Sequence, residues 1–246
     1  MWWKRRELTS PALHARLGEL ELWIQRETGE LVVHFARDPQ LDEEVSFDTA
    51  APPESAEQHR FALAVTPEAV VLEPRLVDRS VVSRPRVPLF LPPKEKVAIF
   101  VTSPLRVSIQ HEKVELVEMP IGMPPETWFG PSPVRGELCY ASRTRGTRTI
   151  EELDAPPTRV VTKVILENQG KTTLEAKSIR LPMPRLSLAW HPEHEELATE
   201  TVRLTRDDAD QAELKIEDLP RGVSILAPPR DPSRAVWKQA LAALWS

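Results

Sequence analysis

Apolar and polar residues alternate with a period of two along most of this 246-residue chain. That period places successive side chains on opposite faces of a strand. The first such run is residues 19–37, ELELWIQRETGELVVHFAR. Leu20, Leu22 and Ile24 share one face, and Leu31, Val33 and Phe35 continue on the return strand, with Gly29 where a tight hairpin needs a positive φ. Residues 38–57 are acidic and contain prolines, which predicts a loop. Strand-like runs follow at 59–65, 69–73, 76–83, 94–102, 104–110 and 113–119. The run 88–96, PLFLPPKEK, is too proline-rich for a central strand and reads as an edge.

Residues 120–157 hold Pro120, Pro124, Pro125, Pro131, Pro133, Pro156 and Pro157. A structureless segment of that length is uncommon inside a compact domain. Within it, 136–142 and 147–153 flank Arg143-Thr144-Arg145-Gly146, which predicts a hairpin whose turn resembles those at Gly29 and Gly170. Residues 160–167 and 172–181 alternate cleanly, as do 199–206 and 212–218 around a polar turn. The end of the chain differs. In residues 231–246, Trp237, Leu241, Leu244 and Trp245 fall at helical spacing after Asp231 and Pro232, which predicts a short amphipathic helix. A second short helix is expected near residues 2–8.

The pattern as a whole predicts an all-β, mainly antiparallel protein: β-sandwich-like sheets in one or two packed lobes with a C-terminal amphipathic helix. The lobes would be 1–125 and 126–230, followed by the helix 231–246, or all three would form one domain.

Composition sharpens this picture. There are 25 prolines against 8 glycines, which leaves little room for long helices. The net charge of −5 lacks the basic field that a general nucleic-acid scaffold uses to displace counterions, so no nucleic-acid partner is expected. A single cysteine makes neither an internal disulfide nor a cysteine-based zinc site. The start, MWWKRREL, has no apolar core of a signal peptide, and no run is long enough for a transmembrane helix. These features lead to an expectation of a cytoplasmic protein.

Most common chemistries leave no trace. The glycines are isolated, so there is no phosphate-cradling loop, and no cofactor is called for. Ser132 lies between prolines rather than in a nucleophile elbow. Cys139 could serve as a nucleophile beside a cation or a histidine, but a lone cysteine in an alternating strand is more often a small core residue. His191-Pro192-Glu193-His194-Glu195 is the densest metal-like cluster. Pro192 breaks helical geometry there, so no metal is assigned, and His191 and His194 remain the first candidates should one bind. Asp207-Asp208-Ala209-Asp210 reads as a turn. The best binding candidate combines Trp128, Phe129 and Tyr140 with Arg135, Arg143, Arg145 and Arg148, a set suited to an unknown protein or an anionic ligand.

The stretch TWFGPSPVRGELCYAS resembles the prokaryotic domain-of-unknown-function family numbered 432. So do the upstream RPRVPLFLPPKEKVAIFVTSPLRVSI and the downstream TKVILENQGKTTLEAKSIRLPMPRLSL, and the likeness runs from about residue 15 to about residue 225. The resemblance brings no catalytic residues. Through an association of such genes with small mechanosensitive channels, it implies a membrane-protein partner. The functional expectation is a non-catalytic binding or protein-interaction module. The alternatives are a hydrolase or metal-dependent enzyme with a site assembled from distant residues, and a soluble partner of a membrane channel.

Overall fold

A computed structural model describes residues 1–40, 44–85, 87–132, 135–144, 146–153, 155–207, 211–232 and 237–240, with the backbone alone at 131, 132, 135, 143, 144, 211 and 237–240. The protein is mainly β, and a 3-10 turn at Met183–Arg185 is the only helical element among the described residues. The chain divides into two compact units, each discontinuous in sequence. One comprises Met1–Arg75, Leu105–Met123 and Pro156–Thr158; the other comprises Leu76–Pro104, Pro124–Ala155 and Arg159–Ser246. The 16-residue strand Lys96–His111 contributes to both.

The first unit contains a five-stranded antiparallel sheet in the order Val45–Thr49, Leu13–Leu17, Leu20–Glu27, Glu30–Arg37, Glu57–Ala62. The hairpin expected at 19–37 is its centre, with Glu27 opposite Glu30 and Gly29 at φ +75°. Leu20, Leu22 and Ile24 are buried on one face, as the alternation requires. Arg5–Glu7, Ala69–Leu76, the second half of Lys96–His111 and Val114–Pro120 form the unit's other strands. Leu72, Val107 and Ile109 are fully buried on them, and each such side chain contributes roughly 1.5–3 kcal/mol. The helix expected near residues 2–8 is not formed. Arg5–Glu7 instead pairs antiparallel with 69–71, because an open strand edge offers these few residues ladder hydrogen bonds that one isolated helical turn lacks.

In the second unit, Lys96–Pro104 pairs antiparallel with Arg159–Asn168. That strand runs parallel to Val202–Arg206 and touches Glu196–Ala198 through Val161 and Ala198. Leu188–His191 pairs antiparallel with Glu196–Ala198, and Val202–Arg206 with Gln211–Ile216. A separate four-stranded sheet has the order Glu126–Ser132, Arg135–Thr144, Val81–Pro85, Ile179–Leu181. Leu89–Leu91, from the proline-rich run 88–96, pairs with Leu174–Ala176 alone among the described residues.

Three further expectations change. Residues 38–57, expected as a loop, include the edge strand Val45–Thr49, which pairs with Leu13–Leu17. Gly170 has no positive φ; the turn around it is built by buried Asn168, whose Nδ2 donates to the carbonyls of Leu91, Pro92 and Thr172 while its Oδ1 accepts from the Gly170 N–H. At the C-terminus, Trp237–Ala240 is a strand and not a helix: Trp237 lies opposite Leu214 and Ala240 opposite Gln211. The free edge of Gln211–Ile216 supplies ladder partners, and tertiary pairing overrides a helical pattern this short. The remainder of the expected helix, 233–236 and 241–246, lies outside the described residues, as do 208–210 of the aspartate-rich turn.

Candidate functional site

The strand Arg135–Thr144 is fixed on both sides. It pairs antiparallel with Glu126–Ser132 and parallel with Val81–Pro85. The hairpin expected between 136–142 and 147–153 is therefore replaced by one with the upstream segment; downstream, among the described residues, only Thr147 makes a bridge, to Phe100. The reason is that both edges of the strand are occupied, by Glu126–Ser132 and Val81–Pro85. Phe129 and Cys139 fall on the inner face, where they form a buried cluster with Val82 at 3% and 0% exposure. A downstream pairing would leave Phe129 without that core.

The opposite face is solvent-exposed. Trp128 and Leu138 are cross-strand partners at 47% and 41% exposure, and Glu126 lies opposite Tyr140. Arg79 binds the Glu126 carboxylate and places its guanidinium 5.4 Å from the Tyr140 ring centre, while the Tyr140 hydroxyl donates to Asp78 at 3.1 Å. Gly136 makes room for the indole: a Cβ there would stand 2.5 Å from Trp128 Nε1. The Glu126–Ser132 strand is also the end of its sheet, so one edge of its backbone has no neighbouring strand among the described residues.

Beside this face is a cleft of about 250 Å³ lined by Arg79, Glu137, Leu138, Arg180, Arg185 and Asp231, among others. Its charges are paired. Arg180 grips Glu137 with Nε and with Nη2 at 2.7 Å, and Arg185 Nε meets Asp231 at 2.9 Å. Burial works against ionising Glu137, but the Arg180 fork overcomes it and holds the carboxyl below its usual range. Cys139 Sγ donates to Glu137 Oε1 at 3.3 Å. Burial, reinforced by the Glu137 charge, pushes the thiol up to about 12, so Cys139 is protonated at neutral pH and is not an activated nucleophile.

The sequence-derived binding residues thus separate. Trp128 and Tyr140 share the exposed face, and Phe129 is core. Arg148 is exposed beside Thr147, which bridges Phe100. The backbones of Arg135 and Arg143 pair with Ser132 and Arg84, and Arg145 lies outside the described residues. Arg79 supplies the arginine of the face, and sequence reasoning missed it because it lies 47 residues from Glu126 in the chain.

A family model described as a protein of unknown function, DUF432, matches residues 2–243. The chain belongs to the DUF432 family. The match extends beyond the stretch 15–225 that carries the resemblance and takes in the segment around Trp237. No curated protein and no solved structure matches the chain. No helix among the described residues of this DUF432 protein is long and apolar enough to cross a membrane.

A second cavity, about 280 Å³, lies on the other sheet of the same unit. The turn 192–195 brings His191 opposite Glu196, and the His191 and His194 rings approach to 4.5 Å between centres. Both rings and Glu196 line this cavity. Burial, with Glu151 adding to it and His194 opposing it, pushes the Glu196 carboxyl up to about 7. Among the described residues, no three His, Cys, Asp or Glu side chains are grouped so as to hold a metal ion.

Proposed function

We propose that this protein is a non-catalytic interaction module that binds a protein partner through the Trp128–Leu138 face and the adjoining strand edge. The observation that carries the reading is the cross-strand pair Trp128–Leu138, two large apolar side chains exposed together beside Arg79 and Tyr140. Aromatic residues and arginine are enriched in interface hot spots, and an apolar pair on an open surface has free energy to gain when covered. The chemistry that fits is an extended partner segment. Its backbone would add to the edge of Glu126–Ser132, and one apolar side chain would lie on Trp128. Proline at 131 limits that addition to the first part of the strand, since it offers no donor. A cytoplasmic location is part of this proposal.

The test is paired affinity purification from the native cell, using wild type and the double variant Trp128→Ser, Leu138→Ser. The reading expects a protein retained by the first and lost by the second, with both chains giving the same circular dichroism. Equal retention by the two would reject it.

A further inference from the structure

The cavity around His191 is built by one face of one sheet. Phe100 and Lys163 are cross-strand partners; Val161 lies two residues from Lys163 and opposite Ala198; Glu196 lies two residues from Ala198 and opposite His191. Period-two geometry therefore turns all six toward the same side, and all six line the cavity. Ile150 and Pro220 add apolar walls, and Asp218 adds a second carboxylate.

We propose that this cavity is a binding site for a small organic ammonium ion with an apolar body. The volume of about 280 Å³ falls just below the usual range for ligand pockets, roughly 300–1,000 Å³, which suits a small ligand. Among the described residues, no hydrogen bond or ion pair reaches the half-buried Glu196 carboxyl. The lysine in the cavity wall forms no ion pair with it: Lys163 is exposed, with Nζ 6.0 Å from the Phe100 ring centre. His191 is only 9% exposed, and its Nδ1 has no partner among the described residues. An ammonium group has donors and no acceptor, which matches an unpaired carboxylate and a ring nitrogen without a partner. Phe100, Ile150 and Val161 would cover its apolar body. An anion would find Lys163 at the wall but would also meet the carboxyls of Asp218 and Glu196, with Glu151 acting on the latter.

Calorimetric titration of the full chain tests this with phenethylamine, phenylacetate and zinc ion as probes. Phenethylamine is expected to bind at millimolar concentration or below. Phenylacetate is expected to bind at least about tenfold more weakly, and Glu196→Gln is expected to weaken the amine by about tenfold or more. The Trp128→Ser, Leu138→Ser variant is expected to leave amine binding unchanged, which separates this proposal from the interaction face. Four results would overturn it: phenylacetate binding as tightly as the amine, Glu196→Gln binding the amine unaltered, zinc binding that His191→Ala removes, or no amine binding by chain with native circular dichroism.

Discussion

Trp128 and Leu138 face each other directly across two antiparallel strands, both exposed, while their sequence neighbours Phe129 and Cys139 are buried on the reverse face. One strand pair thus serves the core with one face and presents an apolar surface with the other. Replacing Trp128 or Leu138 by serine spares the buried Val82–Phe129–Cys139 cluster and gives up a cross-strand pair. Each variant should therefore lose no more than about 1 kcal/mol relative to wild type in urea unfolding, while partner retention falls.

Gly136 sets the pose of Trp128. A methyl group there would meet Trp128 Nε1 at 2.5 Å and the Phe129 carbonyl at 2.7 Å. Gly136→Ala is expected to displace the indole and to cost roughly 1–3 kcal/mol, the usual range for overpacking. Nuclear magnetic resonance of the indole N–H groups should show the Trp128 signal moving.

The Arg180–Glu137 pair makes stability depend on acid. The folded carboxyl titrates below its ordinary value of 4.5, so its contribution is present above that value and is lost as pH falls through the folded pKa. Arg180→Gln should remove this contribution, about 1 kcal/mol after allowing for solvent around the half-exposed carboxylate, and should flatten stability against pH on the acid side.

Cys139 gives the opposite sign at the alkaline end. The unfolded thiol ionises near 9.0 while the folded thiol resists until about 12, so stability falls as pH rises across that interval. In native protein, an aromatic disulfide reagent should react with Cys139 far more slowly than with the unfolded chain. Rapid labelling of the native state would contradict its place in the core.

Glu196 predicts a third slope. Its folded carboxyl is raised from 4.5 to about 7, so folding favours the neutral form. That contribution is present below 4.5 and is lost as pH rises toward 7. Glu196→Gln should flatten this part of the stability profile, measured by urea unfolding across the same interval.

Much of the fold was legible where pairing is local. The hairpin of Leu20–Glu27 with Glu30–Arg37 and the pair Val202–Arg206 with Gln211–Ile216 each carry their alternation and turn in one short stretch. The strand Arg135–Thr144 was legible, but its neighbours were not. One is parallel and lies in 81–85, and no local turn announces such a crossover. The runs 94–102 and 104–110 read as two strands, yet Pro104, at the start of the second, lies within the single strand Lys96–His111. It stands where pairing with Arg159 ends and, from Arg106, pairing with Pro120 begins, so its missing N–H falls at a change of partner. The site was half legible. Trp128 and Tyr140 were visible as rare residues in one stretch, whereas Arg79 reaches them only through the tertiary fold. Glu196 was overlooked beside His191 and His194 because only the turn between paired strands places it opposite His191.

The most direct test of the interaction face is site-specific photocrosslinking in the native cell, with a benzophenone amino acid at position 128, at position 138 or at the exposed control Val65. One discrete protein adduct of the same mass is expected from 128 and 138 and none from 65. No adduct at 128 and 138, or the same adducts from all three positions, would contradict it.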